Sequence, residues 1–561
     1  MSNTLHFSWI DYSLFGATIS INLIIGIYYG CFGTKQSTPE EYLYGGKKMK
    51  ALPIGMSLTA SYASGIIILG VPTEMYLYGT QYIMCLIAII LFTMALIYIY
   101  LPVYYKLQLP STYEYLKLRF DPNVQKLASF LYVLSTVLQM PIIVYVPALV
   151  LNQVTGLNIY IISLLLCIVC IFYTTLGGLK GVVLSDTIQI VILLLTISII
   201  VVIGTYTSGG IATIWNNAYS GERLEFFNMS MDPTVRQTFW GAVVGMIFML
   251  IGTLGLNPST IQRFLSLPTY RDVKISALTF ALTNSFSKII TAWIGLILFT
   301  KYMDCDPLTA GKIQRADQLL PYYLLDVGNC PGLSGLFVAG VCGTAFSALS
   351  TGMNTLSLTV YEDFIKSRLP DTTSREFINK ILKGIVLISG TLSFAFIFFI
   401  DKLGGVLQMS VSFQGITFGP LVGITTMGML IPKVNRHGAF WGGIVSMVLT
   451  GIVIFGSQVY VLMGRVERAF KPLSTRQCDF NVTYAYIPCH LFGLDTVPII
   501  FQISYYFHTL IGVLITIIAG VLITLITRKK DDPVVDRDLL SPLVHYFVST
   551  EDVRQETVVS L

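Results

Sequence analysis

Small polar residues interrupt an otherwise apolar stretch near the start of the chain. The segment Gly55-Met-Ser-Leu-Thr-Ala-Ser-Tyr-Ala-Ser-Gly65 carries hydroxyl groups and no charged side chain. If the helix unwinds near Ser61 and Tyr62, the freed carbonyls can coordinate a hard cation such as sodium, and exposed amides can bind an anion. Small residues of this kind also allow membrane helices to pack closely. The segment alone is consistent with both interpretations.

A second polar cluster lies in the segment Gly343–Asn354. Thr344, Ser347 and Thr351 are spaced three and four residues apart, so their hydroxyls share one face of a helix. These hydroxyls can bond to carbonyls of their own helix. Alternatively, they face the break in the first segment and complete an oxygen cage for a cation.

Asp186 is the third candidate, because it lies at the start of an apolar run. Acidic residues within membrane segments commonly mark ion pathways or gates. The alternative is a helix-start acid that the helix dipole stabilises and that pairs with Lys180.

The composition indicates elements that would position these groups inside a membrane. The chain has 54% hydrophobic and 12% charged residues, whereas soluble domains carry about 25% charged residues. Apolar runs of about 20 residues recur along the chain without strand-like alternation. We therefore expect an all-α, polytopic membrane protein. We count about thirteen helices, with centres near residues 20, 62, 92, 138, 166, 194, 248, 286, 346, 391, 419, 448 and 515.

Two of these runs carry interruptions and lie five spans apart. Pro53, Gly65 and Pro72 interrupt the second run, and Gly241 and Pro258 belong to the seventh. Matching breaks in two halves are typical of transporters built from inverted repeats, whose binding site lies between the breaks.

Charged loops predict the orientation of the chain. Lys and Arg concentrate in alternate loops, so the N-terminus is expected outside and the C-terminus in the cytoplasm of a multi-pass plasma-membrane protein. The glycosylation sequons at Asn228 and Asn481 both fall in predicted outside loops. Two pairs of cysteines share outside loops and can form disulfides within them: Cys305 with Cys330, and Cys478 with Cys489.

Four motifs in order along the chain resemble the sodium:solute symporter family. They are Gly70-Val-Pro-Thr-Glu74, the stretch Gly177–Gln189, Ile261-Gln-Arg263, and Met353-Asn354 followed by Tyr361-Glu-Asp-Phe364. The resemblance runs from about Trp9 to Lys530 and favours the iodide, monocarboxylate and multivitamin branch. It implies a LeuT-type core of two inverted five-helix repeats and sodium-coupled alternating access.

The resemblance also implies a division of the chain and a set of sites. It gives an extra N-terminal helix (1–35), a transporter core (45–432), two C-terminal helices with an extracellular loop (433–527) and a cytoplasmic tail (528–561). The implied sodium ligands are the carbonyls of Ala60 and Ala63 with Thr344 and Ser347. Ala348 departs from the family, which usually has a second Ser or Thr there. The implied substrate residues are Ser61, Tyr62, Ser64, Asn257, Gln262 and Gln414, and Asp186 is implied in gating or in binding a further ion.

These observations favour a sodium-coupled symporter that imports a small organic anion, such as a monocarboxylate or a carboxylate vitamin. The alternatives are a solute-gated channel or sensor on the same fold, or a sodium-coupled sugar, polyol or iodide symporter. Enzymatic chemistry finds no support, because the sequence has no Walker A motif, nucleophile elbow or metal-spaced His and Cys set. No basic cluster suggests nucleic acid. The end Val559-Ser-Leu561 resembles a weak ligand for a PDZ-type groove.

Overall fold

The computed structural model is dominated by long helices. It describes residues 7–27, 47, 49–109, 111–176, 179–327, 332–370, 372–400, 406–463, 465–466, 470–478, 497–528, 535–546 and 553–554. Eight of the described helices are long and apolar enough to cross a membrane, and two bent pairs raise that number to ten. Each of the thirteen predicted centres lies within a helix, although the count of thirteen spans stays a prediction.

The described α-helices range from 4 to 36 residues in length. In chain order they are α1 (Trp9–Ile27), α2 (Ala51–Tyr62), α3 (Gly65–Tyr78), α4 (Thr80–Leu107), α5 (Glu114–Arg119), α6 (Pro122–Thr155), α7 (Ile159–Leu176), α8 (Leu179–Thr207), α9 (Ile211–Ser220), α10 (Gly241–Gly255), α11 (Pro258–Leu265), α12 (Tyr270–Tyr302), α13 (Leu319–Asp326), α14 (Leu333–Arg368), α15 (Arg375–Ile400), α16 (Val406–Leu430), α17 (Arg436–Leu462), α18 (Ile499–Gln502) and α19 (His508–Thr527). Two short strands, β1 (Val535–Asp536) and β2 (Val553–Arg554), form a parallel pair.

The two bent pairs lie where the sequence predicts interruptions. α2 and α3 meet at an angle of 62°, and α10 and α11 meet at 64°. At the second break Pro258 opens α11, and the Asn257 side chain accepts the Ser259 N–H as an N-cap. Proline without an N–H is tolerated at a helix start. A new helix can therefore begin there in a new direction.

Helix packing places both broken pairs at the centre of the molecule. α12 packs along α2 and α3, while α14 packs against α6, α8 and α2. α16 contacts α6, α3 and α10, and the hairpin of α17 and α19 covers its far side. Large apolar side chains remain exposed on the outer helices, including Leu165, Phe399 and Ile526. Such faces suit contact with lipid.

Loop segments at one end of the helices are tied together. Cys305 is bonded to Cys478. Backbone bonds from the Asp306 N–H to Ser474 and from the Gln477 N–H to Asp304 bring the two cysteines together. The expected pairing within each loop is therefore wrong for these two residues, because the loops pair with each other. Cys330, Cys489 and Asn481 lie outside the described residues.

Arg223 anchors the same loop region. Its guanidinium donates to the carbonyls of Tyr76 at 2.7 Å and Pro472 at 2.9 Å, and it lies 4.3 Å over the Phe299 ring. Burial lowers the pKa of Arg223 to about 10, so the group keeps its charge at neutral pH. Asn228 lies in the following loop, where its side chain donates to Glu225 at 2.9 Å.

At the other end of the helices the C-terminal tail docks on the molecule. The Ser541 N–H donates to the Met429 carbonyl at 3.0 Å, and the Tyr115 hydroxyl donates to the Leu539 carbonyl at 3.0 Å. Lys106 pairs with Asp538 at 2.5 Å in an exposed position, where ion pairs contribute little. The tail therefore contacts the ends of α4 and α16 together with α5.

Candidate functional site

The break between α2 and α3 opens the backbone where the sequence predicts it. The Ala63 N–H donates to the Thr59 carbonyl, and the carbonyls from Ala60 onward lie past this last turn of α2. α3 begins after Ser64, whose side chain makes no cap bond. The break therefore offers carbonyl oxygens from one helix and amide hydrogens from the next within a few residues.

Gly65 allows this break to approach α6 and α14. A Cβ built on Gly65 would lie 2.7 Å from Val146 Cγ1 and 2.9 Å from Val341 Cγ1, closer than side chains normally come. Val341 lies three residues before Thr344 on α14. The predicted sodium oxygens of Ala60 and Thr344 thus belong to elements that face each other.

A cavity of about 180 Å³ lies between the two breaks. Residues of α2, α3, α6, α10, α11, α14 and α16 line it, and no charged side chain is among the described lining residues. Five of the six predicted substrate residues line this cavity: Ser61, Tyr62, Ser64, Asn257 and Gln414.

Gln262 is the exception among the predicted substrate residues. It lines a separate cavity of about 30 Å³, together with Pro258 and Ile261. On α11, Ser259 and Thr260 face the central cavity. Gln262 is two residues from Thr260, or about 200° around the helix, so these two side chains point to opposite sides. The structure does not bring it to the predicted site.

Several cavity residues were missed from the sequence. α6 contributes Ser135, Thr136 and Gln139, and Gln139 Nε2 donates to Ser410 Oγ on α16 at 2.6 Å. The rings of Tyr82 and Tyr506 complete the lining. The four-residue spacing of Ser135 and Gln139 in an apolar helix was the available signal.

Asp186 belongs to a buried cluster that joins four helices. Its carboxylate accepts from Ser57 Oγ at 2.9 Å and from Ser347 Oγ, and it pairs with Arg263 at 3.3 Å. Arg263 also donates to the Ser61 hydroxyl at 2.8 Å and to the Thr351 hydroxyl at 3.1 Å. We call these residues the Asp186 cluster. Both charged side chains are only 1% exposed, so each depends on the other for charge balance.

The pairing of Arg263 with Asp186 was not predicted from the sequence. The expected alternative partner of Asp186, Lys180, has a side chain outside the described part of the structure. The Asp186 cluster borders the central cavity through Ser61 and Thr351, which line it.

The hydroxyls of the predicted sodium site have partners of two kinds. Thr344 Oγ1 donates to the Val341 carbonyl of its own helix at 3.1 Å, whereas Ser347 donates to Asp186. Ser350 Oγ is buried and has no hydrogen-bond partner among the described residues. Ala348 lines the cavity, where the family usually has a hydroxyl. Carbonyls and hydroxyls are the donors that a hard cation prefers, so this set fits sodium.

A second buried charge cluster lies at the far end of α3. Glu74 forms a two-point ion pair with Arg236 and accepts a hydrogen bond from Gln237 Nε2 at 2.5 Å. Arg236 also donates to Gln408 Oε1 at 2.8 Å and lies 4.0 Å over the Tyr78 ring. We call these residues the Glu74 cluster. It joins α3, the segment before α10, and the start of α16.

Comparison with known proteins agrees with this architecture. Residues 42–446 match the sodium:solute symporter family. The chain is 35% identical to human sodium-coupled monocarboxylate transporter 2 over 96% of this chain and 87% of that protein. It is 32% identical to the human sodium/iodide cotransporter over 92% of this chain and 83% of that protein.

A solved structure confirms the fold class. The chain superposes on a Na+-coupled sialic acid symporter in a substrate-bound, outward-open state with a TM-score of 0.74, at 22% identity. The match covers 93% of this chain and 98% of the other. The LeuT-type fold is thereby shown, and at this identity the likeness is limited to the fold.

Proposed function

The chain belongs to the sodium:solute symporter family, and from that premise we propose that it imports a small monocarboxylate with sodium. Sodium-coupled symport by alternating access follows from the family, and the protein is a multi-pass membrane transporter rather than an enzyme. The identity of the solute and the residues that bind it are the proposal. Its relatives are named for monocarboxylates and for iodide, so experiment must distinguish between these classes of solute.

The central cavity carries the proposal, because it combines small size with an uncharged, partly polar lining. Its volume of about 180 Å³ is below the roughly 300–1,000 Å³ of pockets for drug-sized ligands. This size favours a short monocarboxylate over a carboxylate vitamin. Apolar residues such as Ile67 and Met249 can contact the carbon skeleton, while Ser61, Ser64 and Gln414 can bond to oxygens.

The start of α3 supplies features that suit an anion. Ser64 is the N-cap and its side chain makes no cap bond, so the first amides of this 14-residue helix keep donor capacity. The positive end of the helix dipole adds attraction for a carboxylate. Ser64 lines the cavity, which puts this helix end beside the solute.

We propose that sodium binds next to the solute, at the carbonyls of Ala60 and Ala63 and the hydroxyls of Thr344 and Ser347. α14 packs against both α2 and α3, which supports a site shared by these elements. Asp186 would act on gating through its bond to Ser347.

The orientation of the chain in the plasma membrane is part of the same proposal. A disulfide between Cys305 and Cys478 suits loops that face an oxidising space. That supports an outside position for these loops, with the N-terminus outside, the tail in the cytoplasm, and sugar attached at Asn228 and Asn481. The core from 45 to 432 would hold the two repeats, flanked by the segments 1–35, 433–527 and 528–561.

The test is uptake into vesicles that contain the purified protein. We expect labelled lactate to accumulate above equilibrium when sodium is outside, and accumulation to stop when choline replaces sodium. Lactate, iodide, biotin and glucose are then compared as competitors, and lactate should compete best. Uptake that persists in choline contradicts sodium coupling. Uptake that never exceeds equilibrium favours a channel, and stronger competition by iodide or glucose replaces the monocarboxylate assignment.

A further inference from the structure

Lys288 is a buried cation that the proposed transport cycle does not yet use. It lies in the middle of α12, and the residue is 2% exposed. Its Nζ donates to the Tyr82 hydroxyl at 2.7 Å and lies 5.0 Å from the centre of the Tyr82 ring. The Tyr62 ring centre is 5.8 Å away. Within the described ranges no carboxylate forms an ion pair with Lys288.

When protonated, Lys288 places a positive charge in an apolar interior without a counter-charge. Aromatic rings and one hydroxyl offset part of the cost of burying an ammonium group. A buried charge normally has an ionic partner, because the loss of hydration is otherwise far too large. Two other buried cations, Arg236 and Arg263, each pair with a carboxylate, and a third, Arg223, donates to backbone carbonyls. Lys288 has neither kind of partner among the described residues.

The two tyrosines that contact Lys288 both line the central cavity. Lys288 itself does not line it, so the ammonium lies one side chain behind the cavity wall. Charge interactions are poorly screened in such surroundings. None of the described residues that line the cavity is charged. The ammonium group of Lys288 would therefore attract a negatively charged solute strongly and would attract a neutral solute little.

We propose that Lys288 is the residue that makes this site selective for anions, acting through Tyr82 and Tyr62. The solute carboxylate supplies the counter-charge that the protein lacks. The Tyr82 oxygen accepts from Lys288, which polarises the Tyr82 hydroxyl toward donating its own proton. Lys288 is a positioning residue, and the inference rests on the proposed function, transport of a small anion.

The experiment compares Lys288→Met with wild type and with a matched lysine on the same helix. Lys274 also lies on α12 and also contacts two tyrosine rings, Tyr98 at 5.6 Å and Tyr270 at 5.3 Å, but neither ring lines the cavity. Each variant is purified, reconstituted in vesicles and assayed for sodium-driven lactate uptake. Inhibition by lactate and by its neutral analogue lactamide gives a selectivity ratio.

We expect Lys288→Met to raise the lactate concentration for half-maximal uptake about tenfold or more. The ratio of inhibition by lactate to that by lactamide should fall by a similar factor, while lactamide inhibition itself changes little. Lys288→Arg keeps the charge and should stay within about threefold of wild type. Tyr82→Phe should show an intermediate loss, and Lys274→Met none.

The outcomes separate the inference from the function on which it rests. If wild type takes up no carboxylate with sodium, both fail. If wild type does so and Lys288→Met keeps its selectivity, or loses lactate and lactamide inhibition equally, only the role of Lys288 is overturned. If Lys288→Met does not fold, Lys288→Arg and Tyr82→Phe decide: unchanged selectivity in Tyr82→Phe overturns the proposed path through that hydroxyl.

Discussion

At the residue scale, charge balance inside the molecule is the main constraint. Asp186 and Arg263 compensate each other, and Glu74 and Arg236 do the same at the other cluster. The Asp186 cluster also includes Ser347, a predicted sodium ligand. Sodium binding at that hydroxyl and the hydrogen bond to Asp186 therefore involve the same side chain.

The role of Ser347 can be measured by sodium titration. Ser347→Ala removes one predicted oxygen ligand and one donor to a buried carboxylate. Because the ion loses one coordinating oxygen, we expect the sodium concentration for half-maximal uptake to rise about tenfold, which corresponds to about 1.4 kcal/mol of binding free energy.

Ser350→Ala on the same helix is the matched control. Ser350 Oγ has no partner in the described structure, so its removal should change the sodium dependence less than twofold, by about a few tenths of a kcal/mol. An unchanged sodium dependence in Ser347→Ala would remove that residue from the site. A large change of the sodium dependence in Ser350→Ala would instead show that Ser350 supplies the hydroxyl that Ala348 lacks.

The Asp186–Arg263 pair makes a prediction about stability. Asp186→Asn leaves Arg263 buried without its counter-charge, and we expect the free energy of unfolding to fall by about 3 kcal/mol. The double variant Asp186→Asn with Arg263→Gln should recover part of the lost unfolding free energy. Thermal unfolding of the purified protein in detergent gives the comparison. A double variant whose loss equals the sum of the two single losses would show that the pair is not coupled.

At the scale of helices, close contacts fix where the broken pairs can lie. Gly245 in α10 is one such position. A Cβ built there would be 2.3 Å from the Tyr506 carbonyl oxygen. Tyr506 also lines the cavity, so the contact ties the wall of the site to the segment before α19.

Gly245→Ala should therefore force α10 away from Tyr506. We expect a loss of about 1–3 kcal/mol in stability, typical of overpacking, measured as a lower temperature of unfolding. Gly451→Ala in α17 is the control, because nothing lies within 4 Å of a Cβ built there. Alanine is the better helix former by up to about 1 kcal/mol, so that variant should be equal to wild type or more stable. Equal stability of the two variants would contradict the contact.

The sequence predicted the helices well because hydropathy and glycine or proline breaks are local signals. The two interruptions and the polar segment of α2 were found this way, whereas the five cavity residues were implied by the family resemblance. Prediction from the sequence failed for contacts between residues that are distant along the chain. The Asp186–Arg263 pair, the disulfide from Cys305 to Cys478 and the contact of Lys288 with Tyr82 join residues far apart in sequence. Gln262 was misplaced for a different reason, because a short helix after a break has a rotation that spacing alone does not fix.

At the scale of the whole molecule, the C-terminal hairpin is tied to the core by a covalent bond. Cys305 follows α12, and Cys478 lies 173 residues later, after α17. The bond therefore links the loop after a core helix to the loop between the two last long helices.

Loss of that bond should destabilise the whole protein. We expect Cys305→Ser to cost about 2–4 kcal/mol, the usual range for a native disulfide, measured by thermal unfolding. The double variant with Cys478→Ser should lose no more than the single one, since one bond is lost in both. Peptide mapping without reductant should recover Cys305 joined to Cys478. Recovery of Cys305 with Cys330 would contradict the structure.

The nearly equal bends of the two broken pairs, 62° and 64°, bear on the direction of transport. Because the two repeats have similar bends, the outward-facing and inward-facing states can form similar contacts. We therefore expect these two states to differ little in free energy. The sodium and solute gradients set the direction of net transport, and states of similar energy let the cycle run at comparable rates in both directions. Vesicles loaded with sodium and lactate and diluted into choline medium should release lactate faster than vesicles loaded with choline and lactate. Equal rates of release would contradict this expectation, because internal sodium would then not drive outward transport of lactate.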